Sequence, residues 1–560
     1  MEPQESPEQS KALRIIPLGG LGEIGLNMTV FEYDGTILVV DSGLMFPEDY
    51  MLGVDIVIPD YEYLRENKDR VAAIVLTHCH EDHIGALPFV IKDVPAPVYA
   101  TPFTMALVSH KLEERDLLNK VRLHEIKPRE HFTVGPFEIE FIRASHSVVD
   151  GVSLAIRTPA GLVIHTGDFK ITHGQLDDEA TDVSRLAQLG EEGVLVLLSD
   201  STNAEKEGYT LSESEIGGTL EKAVADSSGR VIVALFASNV PRLAQIVNIA
   251  ANTDKKIVFN GRSIEVSIRI AQELGYIKIP KGMQIDVSQV SDYDDNEVLM
   301  VTTGSQGEPM SALARIAAGA HKQIKIKKGD TVILSSKFIP GNEKAITGII
   351  NNLYRRGAEV IYEKISAIHV SGHAFREELK LMIHLTRPRH FIPIHGEYRH
   401  LLHHARLAEK VGIPKKRILL AQNGNVINFV DEVGWIGDSV DTGRTFVDGK
   451  GVGDVGRKVL KDRRALSEHG MVVATMILDQ DTGVVIYGPE LISRGFVFED
   501  EKGHLLQDAQ CVIMDAVEQL DLSGPERIPM IEAAIQQTLR RFFNYVIRRK
   551  PVIVPMVLEV

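Results

Sequence analysis

Short apolar runs separated by polar turns extend from residue 13 to about residue 205. Runs such as 37–40, 71–77 and 137–142 are rich in β-branched and aromatic residues and have the length of strands. Helical segments lie between several of these runs. The pattern predicts a first domain built from short strands with intervening helices.

The pattern changes at about residue 211, where buried apolar runs begin to alternate with helical periodicity. The predicted strands are 231–236, 256–259, 298–302 and 331–334. The predicted helices are 241–251, 263–274, 310–318 and 343–356. Such alternation is typical of a parallel sheet, so this segment is predicted to form a separate α/β domain.

Histidines return in number from about residue 361, which indicates that the chain re-enters the first domain after an insertion. A stretch rich in Gly and Asp then predicts a linker, and a small α/β unit follows it. The predicted division is a disordered tail 1–12, a first domain 13–207 and 361–433, an insertion 208–360, a linker 434–455 and a C-terminal domain 456–560.

Length and composition agree with this division. A chain of 560 residues with 44% hydrophobic content should form about three domains with buried cores. Its two cysteines, Cys79 and Cys511, exclude a disulfide scaffold and favour a reducing cytoplasm. No signal peptide or membrane span is predicted, so a cytoplasmic protein is expected.

The charge does not decide the function. A net charge of −16 argues against a nucleic-acid partner. Basic residues nevertheless cluster in 322–328, 355–356, 387–389, 415–417 and 548–550, which is compatible with a channel for a single strand. Solvated surfaces explain each of these runs equally well.

A glycine motif near the N-terminus suggests a dinucleotide site but does not fit one. The motif G-x-G-x-x-G is formed by Gly20, Gly22 and Gly25. Residues 27–40 then predict a β-hairpin that turns at Asp34 and Gly35, whereas a pyrophosphate site requires a helix. We therefore expect no dinucleotide here.

The most informative motif follows the predicted strand 71–77. His78, His80, Asp82 and His83 form the spacing H-x-H-x-D-H. In extended geometry residues i and i+2 point the same way, so His78 and His80 can converge on one ion. Asp82 and His83, displaced by the turn, can face a second ion. Imidazole and carboxylate suit Zn²⁺ or Mn²⁺.

Three further candidate ligands, His146, Asp168 and His395, each follow an apolar strand. A carboxylate such as Asp168 can bridge two ions. Asp41, which ends the strand 37–40, is a candidate for orienting the histidine ligands, although a turn residue is nearly as good an explanation. The histidines without this context are predicted to be surface or packing residues: His165, His173, His384, His390, His403 and His404.

These residues in this order resemble the metallo-β-lactamase superfamily. The insertion before the last histidine, with Asp200, His373 and His395 as three additional motifs, resembles its β-CASP group and, within it, the bacterial ribonuclease J family. The resemblance covers nearly the whole chain from Leu13. It implies an α/β fold: a metallo-β-lactamase αββα sandwich, an inserted α/β β-CASP domain and a small C-terminal α/β domain.

The resemblance also implies a ligand set for two divalent ions, zinc, manganese or both. One ion would be held by His78, His80, His146 and Asp168, and the other by Asp82, His83, Asp168 and His395. Such an enzyme cleaves a phosphodiester to leave a 5′-phosphate and a 3′-hydroxyl. Asp168, Asp82 and His373 would act in catalysis. His373 would hold the phosphate or protonate the leaving oxygen; packing against Phe375 is the alternative.

A phosphate pocket is implied at His369, Val370, Ser371, Gly372 and His373, with Ser238 and Asn239 contributed by the insertion. Gly372 would permit close approach of the backbone to the phosphate. Relatives use such a pocket to recognise a 5′-monophosphate on single-stranded RNA, digest in the 5′-to-3′ direction and also cut internally, in RNA maturation and decay. Asp448 is a candidate for a structural calcium, although an ordinary turn explains it better.

Other functions remain open at this point. A β-CASP nuclease that acts on DNA has the same motifs, and a small-molecule hydrolase can use the same fold. A catalytically inactive RNA-binding scaffold is a further alternative, but the ligand set is intact. The C-terminal domain is predicted to mediate homodimerisation or a higher homo-oligomer, although a buried strand explains its apolar ending as well.

Overall fold

The computed structural model describes residues 12–172, 180–210, 213–305, 311–336, 342–362, 370–449, 451–497, 504–522, 524 and 526–560. The predicted tail 1–12, except Ala12, and His369 of the predicted phosphate pocket lie outside these residues. The chain divides into two compact units. The first comprises Met1–Met45 and Val57–Thr445, and the second comprises Phe46–Ile56 and Phe446–Val560.

The strands and helices of the described residues are numbered in chain order. The strands are β1 (Leu13–Gly19), β2 (Leu21–Gly22), β3 (Met28–Tyr33), β4 (Thr36–Val40), β5 (Ile56–Pro59), β6 (Val71–Val75), β7 (Val98–Ala100), β8 (Leu123–Glu125), β9 (His131–Val134), β10 (Phe137–Arg143), β11 (Val152–Thr158), β12 (Gly161–His165), β13 (Val194–Asp200), β14 (Val231–Ala234), β15 (Lys256–Asn260), β16 (Val298–Thr302), β17 (Thr331–Leu334), β18 (Glu359–Ile361), β19 (His390–Ile394), β20 (Gly396–Glu397), β21 (Asn425–Val430), β22 (Val433–Ser439), β23 (Arg444–Asp448), β24 (Gly451–Val452), β25 (Met471–Leu478), β26 (Val485–Arg494) and β27 (Val552–Glu559). The helices are α1 (Glu62–Glu66), α2 (Glu81–Ile84), α3 (Leu87–Asp93), α4 (Pro102–Glu113), α5 (Val183–Glu192), α6 (Glu213–Ala225), α7 (Val240–Asn252), α8 (Arg262–Glu273), α9 (Ala312–Ala318), α10 (Glu343–Arg355), α11 (Arg376–Thr386), α12 (Tyr398–Lys410), α13 (Arg457–His469), α14 (Leu505–Glu518) and α15 (Arg527–Val546).

Two mixed sheets form the centre of the first unit. Among the described residues, one has the strand order β22-β21-β1-β3-β4-β6-β7-β8 and the other has the order β19-β13-β12-β11-β10-β9. Their inner faces share a core in which Phe31 and Leu38 of the first sheet meet Phe141 and Leu154 of the second. Side chains of α5, α11 and α12 pack in a second core with the outer face of the second sheet. This is the predicted αββα sandwich.

The hairpin predicted at residues 27–40 is confirmed. Strands β3 and β4 pair antiparallel, and Tyr33 lies opposite Thr36. Asp34 and Gly35 have φ values of 45° and 74°. Two consecutive positive φ values are those of the tight hairpin turns in which Asp-Gly is favoured. The glycine motif therefore precedes a hairpin, as expected.

The order of the strands places the predicted ligands together. Strands β12, β13 and β19 are parallel neighbours in the second sheet, so their carboxyl ends meet at one edge. Asp168 follows β12, Asp200 ends β13 and His395 follows β19. In the first sheet β4 and β6 are also parallel, and they lead into Asp41 and His78.

Between β13 and β19 the chain forms a parallel five-stranded sheet of order β15-β16-β14-β17-β18 within the described residues. The four strands predicted for the insertion are all present, and β16 and β17 have the predicted bounds. The four predicted helices correspond to α7, α8, α9 and α10. Residue 310, the predicted start of the third helix, lies outside the described residues.

The predicted linker 434–455 contains most of β22 together with β23 and β24. Strand β22 pairs antiparallel with β21, and the two strands form a hairpin joined by two residues. The second unit contains the three-stranded sheet β26-β25-β27. Its buried face packs on α14 and α15 through residues such as Ile513, Ile535 and Leu539. In the described part of the chain, no helix is both long enough and apolar enough to cross a membrane.

Candidate metal centre

The motif H-x-H-x-D-H extends from the connection after β6 into the first turn of α2. His78 and His80 follow the end of β6, and His80 is the residue before the first turn of α2. Asp82 and His83 lie in that turn, so the change from strand to helix directs the two pairs of side chains differently. The local fold thus separates the four candidate ligands into two pairs.

A first cluster is formed by His78, His80, His146 and Asp168. His80 Nδ1 lies 3.1 Å from His78 Nε2 and 3.1 Å from His146 Nε2. Asp168 Oδ2 lies 3.6 Å from each of the latter two nitrogens. Tetrahedral ligands at the usual zinc–nitrogen distance are about 3.3 Å apart, so the spacing suits one ion.

A second cluster shares Asp168 and adds Asp82, His83 and His395. His395 Nε2 lies 3.3 Å from Asp82 Oδ2 and 3.8 Å from Asp168 Oδ1. His83 Nε2 lies 3.3 Å from Asp168 Oδ2 and 3.7 Å from Asp82 Oδ2. Because both oxygens of Asp168 face ligand nitrogens, its carboxylate can bridge the two clusters.

Asp41 orients one histidine of each cluster. Its Oδ2 accepts a hydrogen bond from His83 Nδ1 at 2.8 Å. It also accepts from the hydroxyl of Thr77 at 2.9 Å, and that hydroxyl oxygen lies 3.1 Å from His78 Nδ1. Donation by the two Nδ1–H groups leaves both Nε2 atoms to bind an ion. Asp41 thus contacts His83 directly and His78 through Thr77, which supports its predicted role in orienting ligands, and that role stays a prediction.

Two more histidines are oriented from the loops around them. His146 Nδ1 donates to the carbonyl of Gly372 at 2.7 Å. His395 Nδ1 lies 2.7 Å from the hydroxyl of Thr202, which itself donates to Asp200 Oδ1 at 2.7 Å. In both rings Nδ1 is engaged and Nε2 faces the cluster. The partners of Nδ1 therefore select Nε2 as the candidate ligand atom.

His373 lies beside the second cluster with a carboxylate partner. Its Nδ1 donates to Asp200 Oδ2 at 2.8 Å and lies 3.9 Å from Asp168 Oδ2. Its side chain is 21% exposed, whereas those of Asp168 and Asp200 are almost completely buried. With Nδ1 engaged, Nε2 is the nitrogen that a substrate can reach.

Family models match four parts of the chain. They are the metallo-beta-lactamase superfamily at 21–210, the ribonuclease J beta-CASP domain at 228–353, the Zn-dependent metallo-hydrolase RNA specificity domain at 357–418 and the ribonuclease J C-terminal domain at 458–560.

Relatives match over almost the full length. Ribonuclease J 1 of Streptococcus pyogenes is 44% identical over 97% of both chains. Ribonuclease J2 of Bacillus subtilis is 40% identical over 99% of this chain and 100% of its own. The chain belongs to the ribonuclease J family.

Two further comparisons agree with the family and the fold. Ribonuclease J of Helicobacter pylori is 43% identical over 90% of this chain and 73% of its own. A solved structure of a protein of unknown function from Enterococcus faecalis is superposable with a TM-score of 0.53, at 16% identity, over 75% of this chain and all of its own. At that identity it supports the fold only. Family and donor set together make the His/Asp cluster a divalent-metal site.

The electrostatics of the ribonuclease J site divide its histidines into two groups. Burial disfavours the charged ring, and it holds the pKa of His78 and His146 well below the ordinary value. Burial also acts on His83, but the carboxylates of Asp168 and Asp41 outweigh it and raise the pKa of His83 to about 10. The same balance, led by Asp168, raises the pKa of His395 well above its ordinary value.

The carboxylates show the reverse effect. Burial opposes ionisation of Asp168, but the charges on His395 and His83 hold its pKa well below the usual range. The carboxylates and the imidazoles of His83 and His395 therefore favour each other's charged forms. A bound metal ion would supply positive charge beside these carboxylates and would require its histidine ligands to be neutral.

The predicted phosphate pocket is described from Val370 onwards. Val370 is buried. Asn203 Nδ2 donates to Ser371 Oγ at 2.7 Å and to the carbonyl of His373 at 3.0 Å, which holds the loop in place. A Cβ on Gly372 would lie 2.5 Å from His146 Cε1. The close approach that requires a glycine is therefore made to His146, a contact that the sequence did not predict.

The two candidates from the insertion lie at the start of α7. Asn239 is buried, and its side chain accepts a hydrogen bond from the amide of Arg242 at 3.1 Å, so it caps the helix. Ser238 is partly buried beside it. Their predicted contact with phosphate stays a prediction.

Asp448 ends β23 and forms an ion pair with Arg463, whose Nη2 lies 2.6 Å from Asp448 Oδ2. Within the described residues, every group of three or more candidate ligands contains Asp168. Structural calcium at Asp448 therefore has no support beyond the sequence.

Sequence reasoning missed several polar residues next to the ligands. Thr77, Thr202 and Asn203 make contacts that are reported above, and Asn27 Nδ2 lies 3.1 Å from His83 Nε2. Thr77 and Thr202 each directly adjoin a strand-end motif, so their positions carried a signal. His165, predicted to be a surface or packing residue, is buried and lines a cavity with Asp41, His83, Asp168 and His395.

Proposed function

We propose that this protein is a metal-dependent ribonuclease that acts on single-stranded RNA. The observation that carries the proposal is the convergence of seven candidate ligands in two clusters that share Asp168. The names of the relatives and the matched RNA specificity domain support RNA as the substrate. The seven ligands are His78, His80, Asp82, His83, His146, Asp168 and His395.

The two clusters fit two divalent ions, zinc or manganese, because each offers at least two imidazoles and a carboxylate. When bound, the ions supply positive charge that stabilises a phosphoryl transition state and lowers the pKa of an attacking water. Asp168 bridges the clusters, and Asp82 completes the second. Both carboxylates would hold the ions, and the positive charge of the ions would bind the scissile phosphate.

His373 is the proton donor of the proposed reaction. Burial opposes its charged form, but Asp200 and Asp168 raise its pKa above the ordinary value. Asp200 accepts from Nδ1, which orients the ring and leaves Nε2–H to face the substrate. Nε2 then donates its proton to the leaving 3′ oxygen, so that the products carry a 3′-hydroxyl and a 5′-phosphate.

We propose further that digestion proceeds from 5′-monophosphate ends in the 5′-to-3′ direction, with additional internal cleavage. Two observations support this proposal. Asn203 anchors the loop 370–373, which contains His373, and the chain resembles the ribonuclease J family. A cytoplasmic enzyme is proposed because both cysteines, Cys79 and Cys511, are free thiols. Association into a homodimer or a larger homo-oligomer through the C-terminal domain is proposed because the chain resembles the ribonuclease J family.

The decisive experiment is digestion of one end-labelled RNA that carries a 5′-monophosphate, a 5′-triphosphate or a 5′-hydroxyl, with single-stranded DNA of the same sequence. Mn²⁺ or Zn²⁺ is supplied. Wild type is compared with His80→Ala and with His384→Ala, which replaces an exposed histidine of α11.

Release of mononucleotides from the monophosphate, retained in His384→Ala and lost in His80→Ala, supports the proposal. Cleavage of DNA at the same rate would contradict a ribonuclease and favour a DNA nuclease. Intact RNA under every metal condition would contradict it and favour a small-molecule hydrolase.

A further inference from the structure

A buried carboxylate outside the metal centre joins three segments that meet at the active site. Glu378, in the first turn of α11, is fully buried. Its Oε1 accepts hydrogen bonds from the amide of Ile171 at 2.9 Å and the hydroxyl of Thr210 at 2.7 Å. Its Oε2 accepts from the amide of Thr210 at 2.9 Å and that of Phe375 at 2.8 Å. Both oxygens are therefore saturated, since each can accept about two hydrogen bonds.

The donors come from parts of the chain with separate tasks. Ile171 follows the bridging residue Asp168 by three positions, and Phe375 follows His373 by two. Thr210 lies where the chain leaves the first domain for the inserted α/β domain. One carboxylate thus connects the metal centre, the proposed proton donor and the start of the inserted domain.

Backbone contacts around Glu378 join the same segments. Ala374 donates to the carbonyl of Phe169 at 2.7 Å. Arg376 donates to the carbonyl of Lys206 at 3.0 Å, and Glu377 donates to that of Gly208 at 3.2 Å. The first turn of α11 is therefore attached both to the strand end that carries Asp168 and to the exit of the chain towards the insertion.

A carboxylate is the side chain that this arrangement requires. All four donors are neutral, and a buried charge is stable only while its hydrogen bonds are complete. Glu378 also lies at the start of α11, where a negative charge interacts favourably with the helix N-terminus. A glutamine has the same shape but presents N–H groups to one side, so at least one amide would face another donor.

We infer that Glu378 is a positioning residue that sets the separation between Asp168 and His373 and ties both to the inserted domain at Thr210. It does not touch the reacting atoms. It acts by holding the ends of β12 and of the loop 370–373 in one arrangement, and this inference rests on the proposed nuclease function.

The test uses the full-length protein with Glu378→Gln and Thr210→Val. The first reverses hydrogen-bond polarity at one oxygen, and the second removes only the hydroxyl donor while preserving volume. The control is Glu140→Gln, which replaces another buried carboxylate. Glu140 lies in β10 and accepts hydrogen bonds from Arg185 at 2.7 Å and 2.8 Å. Thermal unfolding sets a temperature at which all variants are folded.

At that temperature we expect kcat on 5′-monophosphorylated RNA to fall by about 10²-fold in Glu378→Gln, because a displacement of about 1 Å has effects of that size. Thr210→Val should lower kcat less, in the same direction. Affinity for Mn²⁺ alone, measured by calorimetry, should fall by about 10-fold in Glu378→Gln, since Asp168 moves. Glu140→Gln should lower the unfolding temperature without changing kcat or Mn²⁺ affinity.

The inference is overturned if folded Glu378→Gln and Thr210→Val keep wild-type kcat and Mn²⁺ affinity, or if Glu140→Gln loses both to the same degree. If Glu378→Gln does not fold, Thr210→Val decides. A wild type that cleaves no RNA refutes the proposed function instead. In that event a lowered Mn²⁺ affinity in Glu378→Gln would still support the positioning role.

Discussion

Single residues behind the ligands determine whether the metal centre is preformed. Asp41 accepts from His83 Nδ1 and, through Thr77, orients His78. Gly372 supplies the carbonyl for His146 and the space for its ring. Both residues act on ligand geometry without binding an ion, so their substitution separates orientation from ligation.

Asp41→Asn keeps the shape of the side chain but removes the charge that orients His83. We expect the affinity for Mn²⁺ to fall by about 10-fold to 100-fold, because a partner of a ligand histidine is lost. Calorimetric titration of the metal-free protein measures this. Asp254→Asn is the matched control, because Asp254 is exposed and also has a positive φ, 51° against 64° at Asp41. Equal affinities in the two variants would contradict the role of Asp41.

Gly372→Ala adds one methyl group where a Cβ would lie 2.5 Å from His146 Cε1. The ring must move, so we expect kcat on RNA to fall by about 10-fold or more. Gly348→Ala in α10 meets nothing within 4 Å and should leave kcat unchanged. Steady-state kinetics on both variants checks this, and a fully active Gly372→Ala would show that the loop 370–373 adapts.

At the scale of elements, parallel pairing gathers the site. The neighbours β12, β13 and β19 end at the same edge, although about 190 residues separate β13 from β19 in sequence. Helix α12 then packs behind β19 through His404, whose ring lies 4.7 Å from that of Phe391 and whose Nδ1 lies 3.0 Å from Ser201 Oγ.

The packing of α12 predicts a pH dependence of stability. Burial lowers the pKa of His404 from 6.5 to about 3. Below pH 6.5 His404 is therefore protonated in the unfolded chain, whereas it stays neutral in the folded chain until the pH approaches 3. The contribution of His404 is complete above pH 6.5 and is lost as the pH falls towards 3, by at most about 1.4 kcal/mol per pH unit.

Denaturant unfolding of the metal-free protein between pH 7 and pH 4 measures this slope. His404→Asn retains a hydrogen-bonding group near Ser201 but cannot be protonated, so its stability should fall less steeply with decreasing pH. An unchanged slope would show that His404 does not contribute to the acid sensitivity.

At the scale of the whole molecule, the second unit leaves one face of its sheet exposed. Residues Val554, Met556 and Leu558 alternate along β27 and are exposed, whereas Ile553 and Val557 face the helices. Exposed Ile486 and Ile492 lie on β26. An apolar row of this kind on a sheet is typical of an interaction surface.

Met556→Lys should therefore dissociate the proposed homo-oligomer. A charge in the centre of an apolar interface costs several kcal/mol, which raises the dissociation constant by about 10²-fold or more. Light scattering after size exclusion measures the mass. Val459→Lys, at an exposed position of α13, is the control and should keep the wild-type mass. A monomeric wild type, or an unchanged mass in Met556→Lys, would contradict this surface.

The sequence by itself determined the candidate ligands and the fold class. Strand-end positions and the spacing H-x-H-x-D-H are local properties, and the α/β alternation of the insertion follows from periodicity. The hairpin at Asp34 and Gly35 was predicted from turn chemistry alone. Family resemblance supplied the order in which the distant ligands follow.

Only the tertiary structure decided which residues besides Asp41 contact those candidate ligands. The contact of His146 with Gly372 spans 226 positions, and that of Glu378 with Ile171 spans 207. Such partners leave no periodic pattern, because they depend on which strand ends and loops meet after folding. Thr202 beside His395, Asn203 beside Ser371 and the buried carboxylate of Glu378 became visible once β12, β13 and β19 were placed side by side.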